Sequence, residues 1–166
     1  MTTLAEYRFC PRCAAPLSDR IINDGARRAC TAEGCGFVYW DNPVPVVAAL
    51  VEHEGAIVLA SNVDWPEHLY GLITGFLEKN ETPEQGVLRE VREELNLDGR
   101  IASLIGLYPF PRMNQLIVAF HVVAEGTLVP GEEIRATKRI APEKLRPWDF
   151  GTGPAVRDWL ARRQER

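Results

Sequence analysis

Acidic side chains with the spacing of a metal site lie between Gly75 and Leu97. On a helix of 3.6 residues per turn, Glu90 and Glu94 lie one turn apart on the same face, with Glu93 beside them. Carboxylates held this close repel one another, whereas a hard divalent cation such as Mg²⁺ or Mn²⁺ turns the repulsion into attraction. The cluster therefore indicates a divalent metal site. On spacing alone, a solvated acidic helix face explains the same residues equally well.

Local signals predict the helix that would present these carboxylates. Thr82 can cap a helix, Pro83 suits its first position, and Gln85 stands where it completes a capping box with Thr82. Apolar residues recur at helical spacing and commit one helix face to a core: Val87, Leu88, Val91 and Leu95. We expect a loop that ends at Thr82 and a helix that begins near Pro83.

The whole segment resembles the signature motif of the Nudix family. Glycine, glutamate, arginine and aliphatic positions follow the motif's spacing: Gly75, Glu81, Arg89, Glu90, Val91, Glu93, Glu94 and Leu97. The one departure is Asn96, where the family has glycine. That position ends the helix in a left-handed conformation, which asparagine tolerates better than other non-glycine residues. We therefore expect no loss of chemistry from the departure.

The resemblance implies a fold, an activity and a set of site residues. It implies the family's α/β/α sandwich and the metal-dependent hydrolysis of a phosphoric anhydride by an in-line attack of water. Glu90, Glu93 and Glu94 would bind Mg²⁺ or Mn²⁺, and the backbone of Gly75 would lie close to the metal. The implied catalytic residues are Glu93, Glu94 and Arg89, and Arg89 would also pair with Glu81 to hold the loop against the helix.

A further carboxylate is needed to take a proton from the attacking water. Family members often take this base from the motif or from a later loop, and Glu132 and Glu133 stand in such a loop. We favour Glu132. Two exposed glutamates in a Pro-Gly turn explain the same residues without any catalytic role.

Four cysteines near the amino terminus form a second candidate metal site. Cys10 and Cys13 make one pair, and Cys30 and Cys35 make a second pair with a longer spacer. Four thiolates from two such pairs suit tetrahedral Zn²⁺, which would supply the folding free energy that so short a segment lacks. Two disulfides are the alternative, but the first ten residues carry charges and no apolar signal core. We predict a small structural zinc ribbon over residues 1–40.

Charge argues against nucleic-acid binding by this ribbon. Five arginines in residues 1–40 face four acidic residues, and the whole chain has a formal net charge of -4. No basic stripe that could neutralise a phosphate backbone is visible. We expect a structural or dimer-forming ribbon, and a homodimer is implied by the family resemblance alone. No apolar run reaches the roughly 20 residues of a membrane span, so a cytoplasmic protein without membrane partners is expected.

The remaining chain is predicted as one α/β domain over residues 41–166. Two strands joined at Glu54-Gly55 precede the acidic helix, two more strands follow it, and an amphipathic helix from about residue 155 to residue 163 closes the chain. This order suits a sheet covered by helices on both faces.

A zinc ribbon followed by this domain resembles the branch of the family that contains NADH pyrophosphatases and related FAD or ADP-ribose hydrolases. Tyr108-Pro-Phe-Pro111 matches the core of the NADH pyrophosphatase signature, although Gly106, Leu107 and Met113 depart from the residues around that core. The expected substrate is a small nucleotide such as NADH, and AMP would be one product. Tyr108 or Phe110 could stack on its heterocycle, and Gln115 could read a base edge, although core packing and exposed strand positions explain these residues too.

Two other functions stay open on the sequence. A nucleotide sensor without activity is one, although an intact metal motif argues against it. A hydrolase directed at RNA caps is the other, because an NAD-type cap would present the same diphosphate bond as the free dinucleotide.

Overall fold

The computed structural model describes residues 7–164, and the predictions that fall on residues 1–6 and 165–166 lie outside this range. The chain divides into two compact units, Met1–Asn42 and Pro43–Arg166. Within the described residues, neither helix has the length and apolar character needed to cross a membrane. The assignment of residues 1–40 to a zinc ribbon and of residues 41–166 to a Nudix domain stays a prediction.

The first unit is a small antiparallel sheet. Its three strands are β1 (Leu17–Ile22), β2 (Gly25–Cys30) and β3 (Val38–Tyr39). They pair in the order β1-β2-β3. Over residues 7–42, its apolar core cluster consists of Cys10, Leu17 and Cys30 with a few partly buried neighbours. So small a core stabilises a fold weakly, which is consistent with the predicted structural metal.

Between residues 43 and 164, the second unit contains six strands and two α-helices. Their bounds in chain order are β4 (Val44–His53), β5 (Ala56–Asn62), β6 (Ile73–Phe76), α1 (Pro83–Leu95), β7 (Asp98–Phe110), β8 (Gln115–Glu125), β9 (Ile134–Ile140) and α2 (Gly153–Gln164). The strand order is β7-β8-β4-β5-β9, and β6 pairs with β4. The sheet is mixed, because β4 and β8 run parallel while the other pairs are antiparallel.

Alternate residues of the central strand β4 face two separate cores. Val47, Ala49 and Val51 pack with the buried face of α1. Val46, Ala48 and Leu50 pack with the buried face of α2. A strand with apolar side chains on both faces belongs in the middle of such a sandwich. The predicted α/β/α architecture is therefore confirmed.

The hairpin and helix predictions are also confirmed, but two strands escaped prediction. Glu54 and Gly55 both have positive φ, of 47° and 74°, as a tight two-residue hairpin turn requires. The structure adds β6 just before the acidic helix and β9 after the Glu132-Glu133 turn. Both strands border the candidate site, so two of the elements that position this site were not predicted from the sequence.

Candidate active site

The helix α1 begins and ends where local chemistry requires. The Thr82 hydroxyl accepts a hydrogen bond from the Gln85 amide at 3.2 Å, and the Gln85 side chain accepts one from the Thr82 amide at 2.9 Å. Asn96 ends the helix in the left-handed region, with φ of 56°. A defined start and end fix which side chains of α1 face the sheet and which face the cleft.

The carboxylates of α1 differ in their environments. Glu94 is buried, with 8% of its surface exposed, whereas Glu93 is exposed. Burial, and then the charges of Glu90, Glu133 and Glu93, raise the pKa of Glu94 to about 8. Burial also raises the pKa of Glu90, although Arg89 acts in the opposite direction. Among the described residues, the charged side chains that raise the pKa of Glu94 are all carboxylates.

Arg89 joins the loop before α1 to the carboxylates of the helix. Its guanidinium donates to both oxygens of Glu81, at 2.9 and 3.1 Å, and to the carbonyl of Phe76 at 3.1 Å. Its Nη1 atom donates both to Glu90, at 2.7 Å, and to Glu93, at 2.8 Å. The Arg89 guanidinium lowers the pKa of Glu81, and the Glu81 carboxylate raises that of Arg89. Arg89 therefore lies between two of the carboxylates that sequence reasoning assigned to metal.

Gly75 allows the helix to approach the sheet at Glu90. This glycine lies in β6 opposite Val47 of β4. A Cβ atom added at Gly75 would overlap the Glu90 carboxyl group. The backbone of Gly75 and the Glu90 carboxylate are therefore in direct contact, and a larger residue at this position would push the carboxylate away.

The loop that contains Glu132 and Glu133 is fixed to the end of α1. The Gly131 amide donates to the carbonyl of Glu94 at 2.9 Å, and the Val129 amide donates to the carbonyl of Leu95 at 3.0 Å. These bonds satisfy carbonyls that the helix end leaves free. A Cβ atom added at Gly131 would overlap the carbonyl of Glu93. Both glutamates line the same cavity as the α1 carboxylates, but only the Glu133 charge contributes to the raised pKa values of Glu90 and Glu94.

Two neighbouring cavities share a wall at this end of the sheet. The acidic cavity, of about 630 Å³, is lined among the described residues by six glutamates and one arginine: Glu78, Arg89, Glu90, Glu93, Glu94, Glu132 and Glu133. The aromatic cavity, of about 530 Å³, is lined by rings that include Tyr70, Phe110, Trp148 and Phe150, together with Gln115. Trp65, Thr74, Gly75 and Phe76 line both cavities.

Two of the three predicted substrate-binding residues line the aromatic cavity, and the third does not. Phe110 and Gln115 line the aromatic cavity, but Tyr108 is not among its lining residues. The Tyr108 hydroxyl instead donates to Asp158 of α2 at 2.6 Å, and its ring packs on the core beneath that helix. Sequence reasoning missed Trp148 and Phe150, which lie in an irregular segment near the end of the chain.

The acidic cavity fits a divalent cation by its donor set. Six carboxylates and one guanidinium leave an excess of negative charge. Within residues 7–164, the charged groups that raise the pKa of the buried Glu94 are three of these carboxylates. Oxygen donors of this kind are the ligands that Mg²⁺ and Mn²⁺ prefer. A cation bound there would compete with Arg89 for Glu90 and Glu93. The residues present therefore fit a metal, while the identity of the ion stays a prediction.

The cysteine cluster of the first unit fits zinc more closely. The Sγ atoms of Cys10, Cys13, Cys30 and Cys35 all lie within 4.8 Å of one another, and the cysteines are free thiols. Three of the Sγ pairs are separated by 3.5 to 3.6 Å. A tetrahedral ion with Zn–S bonds of about 2.3 Å places its sulfurs roughly 3.8 Å apart. Burial raises the pKa of Cys30 to about 12.

In each cysteine pair, a backbone amide two residues along the chain donates to the Sγ atom of the first cysteine. The amides of Arg12 and Ala32 donate to the Sγ atoms of Cys10 and Cys30, both at 3.4 Å. The longer spacer of the second pair is accommodated by a turn in which the Cys35 amide donates to the Ala32 carbonyl at 3.3 Å. The two pairs therefore make similar first turns despite their different lengths.

The chain belongs to the Nudix family, because the NUDIX domain matches residues 41–160. The predicted family membership is thus confirmed. The NAD-capped RNA hydrolase NudC of Stutzerimonas stutzeri is 30% identical over 133 residues, which cover 80% of this chain and 47% of that protein. The protein of the same name from Mycobacterium bovis is 41% identical over 91 residues, which cover 54% of this chain and 28% of its own length. The chain thus spans about half or less of the length of these relatives.

A solved structure extends the similarity over nearly the whole chain. A NUDIX hydrolase from Nitrosomonas europaea superimposes with a TM-score of 0.80 at 27% identity, covering 96% of this chain and 92% of its own. The match therefore includes residues of both units.

Proposed function

We propose that this Nudix chain hydrolyses the diphosphate bond of a dinucleotide such as NADH, or of FAD or ADP-ribose, and releases a nucleoside monophosphate. The observation that carries the proposal is the wall shared by the acidic and aromatic cavities. A substrate with an aromatic heterocycle on one side of a diphosphate fits such a pair of cavities. The volume of the aromatic cavity, about 530 Å³, lies within the range of small-molecule sites.

The aromatic cavity supplies the groups that such a heterocycle needs. Flat aromatic faces bind any heterocycle without matched hydrogen bonds, and Phe110 and Trp148 offer such faces. The amide of Gln115 offers both a donor and an acceptor for a base edge or a carboxamide. Arg112 also lines the cavity and brings a positive charge to a phosphate-bearing ligand.

The acidic cavity supplies the groups for the chemical step. Glu90, Glu93 and Glu94 would hold Mg²⁺ or Mn²⁺, which when bound neutralises the diphosphate and lowers the pKa of the attacking water. Arg89 keeps the loop and the helix together through Glu81 and so fixes the carboxylates before substrate binds. The Gly131–Glu133 loop places two further carboxylates in the cavity as proton acceptors. Both Glu132 and Glu133 are candidates for this role, and Glu133 lies close enough to Glu90 and Glu94 for its charge to raise their pKa values.

Product analysis on a substrate panel tests the proposal. The panel contains NADH, NAD⁺, FAD, ADP-ribose, diadenosine polyphosphates and nucleoside triphosphates, each with Mg²⁺ or Mn²⁺. We expect AMP and reduced nicotinamide mononucleotide from NADH. Preference for a nucleoside triphosphate over every dinucleotide would overturn the substrate class, and binding of nucleotides without cleavage of any would favour a sensor.

Two variants of α1 separate the chemistry from the fold. We expect Glu94→Gln to lower kcat/KM by about a hundredfold or more, because it removes a charged ligand. The variant should stay folded, because glutamine is a neutral side chain of the same size at a position where burial and three neighbouring carboxylates disfavour a negative charge. Glu84→Gln is the matched control, since Glu84 is exposed in the first turn of the same helix. Equal losses in both variants would contradict the metal assignment.

A second candidate substrate is an RNA that begins with a dinucleotide cap. Two similar proteins carry the name NAD-capped RNA hydrolase. The same pair of cavities would accept such a cap, while the net charge of -4 offers little attraction for the RNA that follows it. A kcat/KM for a capped RNA that exceeds that for NADH, and that falls steeply with salt, would favour the RNA.

A further inference from the structure

An extra residue interrupts the edge of the sheet next to Asn62, which lines the acidic cavity. The pairing of β5 with β9 passes from Ser61–Ala136 to Asn62–Ile134, which leaves Arg135 without a partner on the opposite strand. Such a β-bulge redirects the side chain of the extra residue and often lies near a functional site. Here the bulge turns Arg135 toward the chain segment that follows β5.

Arg135 holds the turn that begins that segment. Its Nη1 atom donates to the carbonyl of Trp65 at 2.8 Å, and its Nη2 atom donates to the carbonyl of Val63. The turn itself is closed by Asn62, whose side chain accepts from the Asp64 amide at 2.9 Å and whose carbonyl accepts from the Trp65 amide at 3.1 Å. One guanidinium therefore fixes two carbonyls of the turn that contains Trp65.

The segment after β5 is also hydrogen-bonded to the loop that lines the acidic cavity. The Val63 amide donates to the carbonyl of Glu133 at 2.9 Å, and the Gly131 amide donates to the carbonyl of Glu94 at 2.9 Å. Residues 131–135 thus connect the end of α1 with the Trp65 turn by consecutive hydrogen bonds. Trp65 lines both cavities, and its ring lies against the backbone of Gly71, where an added Cβ would be only 3.1 Å from the ring.

We propose that Arg135 is a positioning residue that acts through Trp65 on nucleotide binding. Its two hydrogen bonds fix the Trp65 turn at the wall between the cavities and in register with the Gly131–Glu133 loop. This role rests on the proposed function, because it takes the aromatic cavity as the site of the nucleotide. Arg135 itself is exposed and need not touch the substrate.

The chain offers a matched control on the same strand. Arg139 lies four residues further along β9, donates to the carbonyl of His53 at 3.1 Å and pairs with Glu54 at 2.8 Å. It therefore also fixes a turn by a guanidinium–carbonyl bond, but at the hairpin of β4 and β5. Arg139→Met should cost stability of the same kind as Arg135→Met without disturbing the wall between the cavities.

A double-mutant cycle tests the route through Trp65. AMP, a product of the proposed reaction, is titrated by calorimetry into the wild type, Arg135→Met, Trp65→Leu and the double variant. We expect Arg135→Met to weaken AMP binding about fivefold in the wild type and less than about twofold in the Trp65→Leu background, because coupled residues are non-additive. Equal losses in both backgrounds, or a loss no larger than in Arg139→Met, would overturn the proposal.

A measurement without ligand separates this inference from the proposed function. Labelling with 5-fluorotryptophan gives one ¹⁹F signal for each of the four tryptophans, and Trp65→Phe assigns the signal of Trp65. We expect Arg135→Met to shift the Trp65 signal, whereas Arg139→Met should leave it in place. An unchanged Trp65 signal in Arg135→Met would overturn the positioning role. A shifted signal in a protein that neither binds AMP nor cleaves a dinucleotide would instead keep the positioning and reject the proposed function.

Discussion

The cysteine cluster of the first unit and the acidic cavity of the second both gather side chains that suit a metal, but to different degrees. Among the described residues, the four cysteines are the one group of potential ligands whose atoms all lie within 4.8 Å of one another. The carboxylates of α1 are more widely spread, and Arg89 lies between Glu90 and Glu93. Only the cysteine cluster is therefore already closed around a single point.

The difference follows from what each site would do. A structural zinc ion would fill all four positions with protein ligands and would stabilise a unit whose own core is small. A catalytic metal must keep positions open for substrate and water, so its ligands line a cavity. The acidic cavity has that open form. Its Glu90 and Glu93 carboxylates both accept from the Nη1 atom of Arg89, and a bound cation would compete with Arg89 for them.

The largest effect that would sharpen this comparison is expected from Cys30→Ser. Loss of one buried thiolate should abolish zinc binding and unfold the first unit, because structural zinc contributes on the order of 10 kcal/mol in small domains. Heteronuclear NMR should show loss of dispersed signals for residues 7–42, and elemental analysis should show loss of zinc. The amide signals of α1 and the central sheet should persist, because the second unit has its own two cores.

Thr31→Ser is the control for that experiment, since it changes the neighbouring residue and keeps the hydroxyl that donates to the Pro16 carbonyl at 3.0 Å. A Cys30→Ser protein that keeps both its zinc and its dispersed signals would break the comparison. The cysteine cluster would then contribute no more to folding than ordinary apolar packing.

How far the sequence predicts each region depends on how local its interactions are. The ends of α1 were predictable, because the cap at Thr82 and the left-handed Asn96 are set by their immediate neighbours. The cysteine pairs were predictable for the same reason. β9 was missed because four of its seven residues are polar, as is common for an edge strand, so no alternating apolar pattern marks it.

Contacts between distant segments could not be predicted. For Tyr108 the sequence left stacking on the substrate and core packing both open, because its partner Asp158 lies fifty residues further along the chain. The Arg135 bulge depends on the register of two strands that are far apart in sequence. Likewise, Glu132 and Glu133 are adjacent in the sequence. Only the packing of their loop on α1 brings the charge of Glu133 close enough to raise the pKa values of Glu90 and Glu94.

A smaller effect, confined to the acidic cavity, is expected from Gly131→Ala. Gly131 does not have a positive φ angle, so alanine causes no backbone strain there. The cost of the substitution is steric, because the added Cβ would overlap the Glu93 carbonyl and push the loop away from α1. We expect kcat for the preferred dinucleotide to fall about tenfold or more, because displacement of a catalytic group by about 1 Å is costly. Steady-state kinetics and a thermal melt would measure this.

Pro130→Ala is the matched control for Gly131→Ala, because the neighbouring proline is exposed and its loss adds no atoms near α1. A Gly131→Ala protein with wild-type kcat would show that the carboxylates of this loop are not needed for turnover. The acidic cavity would then consist functionally of α1 alone.

The smallest effect is expected where α1 ends. Asn96 is the one departure from the family motif, and it adopts φ of 56° with its amide donating to the Arg92 carbonyl at 3.0 Å. Glycine at this position should change the free energy of unfolding by less than about 0.5 kcal/mol and leave turnover unchanged, because both residues tolerate this conformation. Alanine should cost about 1 kcal/mol, since its Cβ crowds the backbone in the left-handed region. Chemical denaturation of the two variants measures the difference, and an Asn96→Gly protein with lower kcat would mean that the departure does affect the carboxylates of α1.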